Sequence, residues 1–168
     1  MIETDRLILT IPTLADFAES VVMTGDAAVM AFLGGKPLTR EEAWNKLLRR
    51  IGHWQAFGYG QFTVREQAGG GFVGEVGLAH FARGFGDAFD PYPEAAWILA
   101  RTAHGMGYAT EAVAAAHDWM ARTHGATRTV CIIDPDNHAS MRVAMKLGYA
   151  AFGEVDYRGA RPVMLARG

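Results

Sequence analysis

Arg101-Thr102-Ala103-His104-Gly105-Met106-Gly107-Tyr108-Ala109-Thr110-Glu111-Ala112 stands between a strand-like run and a strongly helical one, and its reading decides the fold. Gly105 and Gly107 permit a sharp turn and a close backbone approach to a ligand. A helix starting just after them points unpaired N–H groups and the positive end of its dipole at an anion. The stretch predicts a cradle for a phosphorylated cofactor. Two glycines do not say which cofactor; the flanking sequence narrows the choice.

Downstream, Ala109, Ala112, Val113, Ala116, Trp119 and Met120 mark one face of a helix that stops near Gly125. Residues 127–133 read as a buried strand by their branched content. Residues 137–147 form a short helix with Asn137 as N-cap and Gly148 as its stop, and residues 149–157 and 162–166 supply terminal strands. Upstream, residues 6–11 are a first strand, and Pro12 with Leu14, Ala15, Asp16 and Phe17 opens a helix. Thr39 and Glu42 form a capping box for a second helix, with Ala43, Leu47, Leu48, Ile51 and Trp54 or Gln55 at helical spacing and an end near Gly58. Residues 61–67 and 72–80 pair as an antiparallel hairpin around a glycine turn. A long loop, 81–93, precedes the strand 94–100. The predicted order is β-α-α-β-β-β-α-β-α-β-β.

With 168 residues, half of them hydrophobic, the chain has material for one sizeable core, so residues 1–168 are expected to form a single domain. A formal net charge of −2 gives no general attraction to nucleic acid or to a membrane surface. The lone Cys131 lies in the apolar run Val130-Cys131-Ile132-Ile133 and reads as a buried structural thiol. The first residues show no signal-peptide pattern and no long apolar run follows, so the expected location is cytoplasmic. The six histidines are scattered, with no H-x-x-x-H or C-x-x-C pairing, and no metal is expected.

A dinucleotide-binding unit has a similar order of parts, ending here in Asp134. It requires Gly or Ala where Thr110 stands, a tighter link between strand and first glycine, and more chain after Asp134 to complete a doubly wound sheet. The upstream hairpin also fits a mixed sheet better than a parallel one.

Three segments in order instead resemble the GNAT superfamily of acetyltransferases, in particular the branch that acetylates ribosomal-protein N-termini. His104-Gly105-Met106-Gly107-Tyr108-Ala109 is similar to the Q/R-x-x-G-x-G/A motif, and Thr110-Glu111-Ala112 continues it. Asn137-His138-Ala139-Ser140 leading to Lys146-Leu147-Gly148-Tyr149 resembles the N-x-x-S…K-L-G-F/Y block, and Glu3-Thr4-Asp5-Arg6-Leu7-Ile8-Leu9 the opening. His104 departs from the usual Gln or Arg, and Thr10 stands where a second Arg is common. The resemblance implies a mixed α/β fold: a mostly antiparallel twisted sheet of about six to seven strands, splayed between the fourth and fifth, with about four flanking helices.

It also implies acetyl transfer from acetyl-CoA to an amine in a ternary complex, with no metal. The pyrophosphate would meet the backbone amides of Met106, Gly107, Tyr108 and Ala109, with Thr110 and His104 as further contacts. Asn137 would cap its helix or bond the pantetheine amides. An ammonium acceptor needs a base; Glu94, at the start of the central strand, is the first candidate, with Glu75 and His80 behind it. Ser140, on the inward helix face with Val143, Ala144 and Leu147, is the first candidate donor to the departing thiolate, and Tyr149 the alternative. Phe85, Asp87, Phe89, Asp90 and Tyr92, with Trp54 and Tyr59, could form an aromatic, acidic mouth for a cationic amine. The acceptor would be a small-molecule amine or a protein N-terminus, and the protein a monomer or homodimer. A catalytically silent acyl-CoA-binding or regulatory module is the alternative; it would keep the turn and Asn137 but not need Ser140 or a base.

Overall fold

The structure, a computed structural model, describes residues 1–168. Eight strands form one sheet: β1 (Ile2–Glu3), β2 (Leu7–Thr10), β3 (Gln61–Glu66), β4 (Phe72–Ala79), β5 (Glu94–Leu99), β6 (Thr129–Ile133), β7 (Ala150–Glu154) and β8 (Val163–Arg167). Their spatial order is β1-β2-β3-β4-β5-β6-β8-β7, antiparallel throughout except between β5 and β6. The helices are α1 (Phe17–Thr24), α2 (Ala27–Met30), α3 (Arg40–Phe57), α4 (Tyr108–His124) and α5 (His138–Lys146), with short 3-10 turns at Leu14–Asp16 and Arg101–Ala103. The mixed, mostly antiparallel architecture is as expected. The two additions, β1 and α2, have two and four residues, too few for a pattern to announce them.

Local signals acted as their chemistry demands. Thr39 accepts from the Glu42 amide at 3.2 Å while Glu42 accepts from the Thr39 amide at 2.7 Å, and Gly58 ends α3 in the left-handed conformation. Gly125 ends α4 in the same way.

Cross-strand partners share a face, and the two faces differ sharply. Leu9, Phe62, Val64, Val76 and Leu78 point to one side and pack on Ala112, Val113, Ala116 and Met120 of α4. On the other side, under α1 and α3, Thr63, Arg65 and Glu75 meet Asp16, Glu19, Ser20, Lys46 and Arg50 in a buried ionic layer. Alternate residues at the centre of β3 and β4 therefore face an apolar core on one side and, through Thr63, Arg65 and Glu75, an ionic cluster on the other.

Between β5 and β6 the only matched pair is Glu94 with Val130, where the Val130 amide donates to the Pro93 carbonyl at 3.1 Å. Beyond it the strands part, the splay expected between residues 94–100 and 127–133. Since the Pro93 carbonyl faces β6, the period of two turns the backbone groups of Trp97 and Leu99 into the gap.

Candidate active site

The glycine turn stands at the open end of this splay. Gly105 (φ 77°) and Gly107 (φ 80°) are both left-handed, which a side chain at either position would resist. Gly107 is the N-cap of α4 and offers no side chain to it. The amides of residues 105–110 donate to no protein acceptor, so six consecutive N–H groups are available beside the positive end of a 17-residue helix. That is the donor set a pyrophosphate requires.

The turn is held by the N-terminal segment. Arg6 donates through Nη1 to the Met106 carbonyl at 2.9 Å and through Nε to Glu111 at 2.7 Å; the Arg6 amide (3.1 Å) and the Thr4 hydroxyl (2.6 Å) donate to the other Glu111 oxygen. Burial would raise the Glu111 carboxyl, but Thr4 and Arg6 outweigh it and hold it below its ordinary value. The Arg6 guanidinium also covers the Tyr108 ring at 4.7 Å, and the Tyr108 hydroxyl donates to Glu66 at 2.8 Å. The opening motif and the Thr110-Glu111-Ala112 motif are thus two halves of one brace. The exposed His104 turns its Nε2–H back to the Leu99 carbonyl at 3.0 Å, tying the turn to the end of β5.

Across the gap stands α5. Asn137 caps it, its Oδ1 accepting from the Ser140 amide at 3.1 Å, which leaves the Asn137 NH₂ for other partners. Ser140 Oγ accepts from the Trp97 indole N–H at 3.2 Å. With that lone pair occupied from β5, the Ser140 hydroxyl hydrogen is directed elsewhere as a donor.

Glu94 is 4 % exposed, and Arg83 from the long loop grips both its oxygens at 2.5 and 2.7 Å. Burial raises the Glu94 carboxyl above its ordinary value in spite of Arg83. Tyr149 is not brought to the gap: its buried hydroxyl lies 2.7 Å from Thr129 Oγ1 and 3.0 Å from His117 Nε2. Burial lowers His117 to about 4, so the Tyr149 hydroxyl sits between a neutral ring and the Thr129 hydroxyl. These two contacts weigh against the expectation of Tyr149 as an alternative donor, since its hydroxyl has partners within the core.

Glu75 is also excluded as a base. Burial alone would raise its carboxyl, but Lys46, Arg50 at 2.8 Å and the Ser20 hydroxyl at 2.8 Å hold it at about 2. The aromatic, acidic mouth is assembled only in part: Phe89, Asp90 and Tyr92 line a recess with Arg83 and Glu94, whereas Trp54 is packed into the core. Phe85 packs on Phe89 and Tyr157, Asp90 accepts from the Gly84 and Gly86 amides, and Trp54 packs on Phe62 and Trp119. Burial pushes the Cys131 thiol up, so it is no nucleophile.

Three pairings escaped sequence reasoning: Arg83 with Glu94, Trp97 with Ser140, and the Arg6 and Thr4 pair with Glu111. Each joins residues from different elements. The only sequence signal for them was the co-occurrence of the opening motif with Thr110-Glu111-Ala112.

The family model describing an acetyltransferase (GNAT) domain matches residues 6–150. Among solved structures, a GnaT-family acetyltransferase from Bordetella pertussis superposes with a TM-score of 0.88 at 34 % identity, over 99 % of this chain and 98 % of that one. An acetyltransferase from Agrobacterium tumefaciens gives 0.83 at 25 % identity, over 99 % and 93 %. A spermidine N-acetyltransferase from Vibrio cholerae, solved with CoA and spermine, shares the fold with a TM-score of 0.75 at 15 % identity, over 97 % and 95 %. No helix of the chain is long and apolar enough to cross a membrane.

Proposed function

The chain belongs to the GNAT family of acetyltransferases, and from that premise we propose that it carries the acetyl group of acetyl-CoA to a primary amine, on a protein N-terminus or a small molecule, by direct attack in a ternary complex. The observation that carries this reading is the row of six unpaired amides, residues 105–110, at the mouth of the β5–β6 splay. Acetyl-CoA supplies the activated acyl group as a thioester. Residues 105–110 bind its pyrophosphate, Thr110 adds a hydroxyl, and the Asn137 NH₂ meets the pantetheine amides. The Trp97 backbone amide, turned into the gap, is the donor placed to stabilise the oxyanion.

Glu94 is the base we assign. A carboxyl raised by burial is better matched to taking a proton from an ammonium than an ordinary one, and the entering cation competes with Arg83 for it. Ser140, one lone pair of its oxygen held by the Trp97 indole, donates to the departing thiolate. Direct attack is supported because the chain has no activated nucleophile nearby: Cys131 is buried and Ser140 has no base beside it. We also propose that residues 1–168 act as one domain, since the turn, Arg6, Glu94 and Ser140 come from all along the chain and converge on one gap.

A thiol-release assay with acetyl-CoA over a panel of amines and N-terminal peptides tests this. Release with at least one amine, giving the acetylated amine by mass, is expected. Tight acetyl-CoA binding with no turnover on any amine would leave a silent binding module instead.

A further inference from the structure

The ionic layer under α3 opens into a cavity of about 100 Å³ lined by Arg49, Arg50, His53, Gln61 and His80. It shares His80 and Phe81 with a smaller recess bounded by Arg83 and Glu94, and Ala79 on its wall is the cross-strand partner of Glu94. The cavity therefore adjoins the base end of the candidate site.

Its chemistry is cationic. Arg50 is 3 % exposed; Nη1 pairs with Glu75 at 2.8 Å and Nη2 donates to Thr63 Oγ1 at 3.2 Å, but its buried Nε donates to nothing. A buried guanidinium N–H without an acceptor is a costly feature unless a ligand completes it. Within the layer Lys46, Arg50 and Arg65 are balanced by Asp16, Glu19 and Glu75. Arg49, exposed and in no ion pair, is the surplus positive charge at the rim. His53 adds no donor: Nδ1–H donates to the Tyr59 carbonyl at 2.7 Å and Nε2 accepts the His80 amide at 2.8 Å, so it is a neutral wall that fixes His80.

Resting on the acetyl-transfer reading, we propose that this cavity binds a carboxylate of the acceptor, through Arg49 at its rim and the positive charge of Arg50 in its wall. Trp97 lies three residues along β5 from Glu94, and the cavity lies beyond the neighbouring strand. At about 3.3 Å per residue and 4.8 Å per strand, the carboxylate is roughly 7–12 Å from the attacked carbonyl. The amine and carboxylate of an α-amino acid, about 3 Å apart, cannot span this. The acceptor class is a short peptide or other amine whose carboxylate is several bonds from its nitrogen.

The experiment compares acceptor pairs that differ only in the anion: glycylglycine with glycylglycinamide, and 6-aminohexanoate with hexylamine. The acids are expected to exceed their neutral partners in kcat/KM by about tenfold or more, and Arg49→Gln to abolish that preference. Equal turnover of acid and neutral partner by the wild type overturns the carboxylate site and leaves acetyl transfer standing. If neither class turns over, acetyl transfer fails, and the site is judged by NMR of the His53 and His80 rings during titration with glycylglycine. Saturable shifts with glycylglycine, absent with glycylglycinamide and in Arg49→Gln, support the site; no shift overturns it.

Discussion

Under α4 the sheet meets Ala112, Val113, Ala116 and Met120; under α1 and α3 the same strands meet Lys46, Arg50, Asp16 and Glu19. The apolar half carries α4 and with it the uncapped amides of the turn, which in the proposed function meet a phosphate by backbone alone. The charged half ends in Arg49, Arg50 and the Glu94–Arg83 pair, the side chains proposed to meet the acceptor. A cofactor site built from backbone tolerates sequence change around it, whereas a site built from buried charges is specific and sensitive to each substitution.

The largest expected effect lies on the charged side. Glu94→Gln should lower kcat by about 10²- to 10⁴-fold with the acetyl-CoA Kd unchanged, read by steady-state kinetics and calorimetry. Because burial raises Glu94 and a base must be ionised, activity should be lost as pH is lowered, on an acid limb shifted upward from that of an ordinary glutamate. Removing the Arg83 charge in Arg83→Met should move that limb higher still. An unchanged kcat in Glu94→Gln would dissociate the charged face from catalysis.

Glu75→Ala should cost about 3–5 kcal/mol in denaturant unfolding, since it leaves Lys46 and Arg50 buried without their carboxylate. Glu75 titrates at about 2 in the fold against an ordinary 4.5. Its contribution is therefore complete above about pH 4.5 and lost as pH falls towards 2. Glu75→Gln should flatten that part of the stability profile.

On the apolar side, Gly107→Ala should weaken acetyl-CoA binding about tenfold for every acceptor alike. An added Cβ meets Arg6 only at ordinary contact distance, so the left-handed backbone supplies the cost of about 1–2 kcal/mol. A Kd loss that varied with acceptor would break the division between the faces. Ser140→Ala should give the smallest change, a kcat drop of about tenfold or less with Kd kept, because a thiol near 8.5 leaves readily even unassisted. Trp97→Phe should reproduce part of that drop; no change in either variant would remove the donor role.

Much of this was legible in residues 101–112 and 137–149, because caps, left-handed glycines and helical stripes are local. Thr39 with Glu42, Gly58, Gly125 and Asn137 each act as their chemistry dictates within a few residues. Glu75 and Tyr149 misled for the opposite reason. A titratable residue in a strand reads the same whether it faces a cleft or a buried counter-ion, and Lys46 and Arg50 are some thirty positions away along the chain.

By itself the amino-acid order determined most of the elements and the left-handed glycine turn ahead of α4, since these follow from hydrogen-bond and steric rules that act over a few residues; the splay of β5 from β6 was expected only from the resemblance to a family. Which side chains became chemistry was decided only by tertiary structure. Burial and pairing assign the proton donors, the base and the free cations, and those depend on partners such as Arg83, Trp97 and Arg6 that folding brings from distant segments.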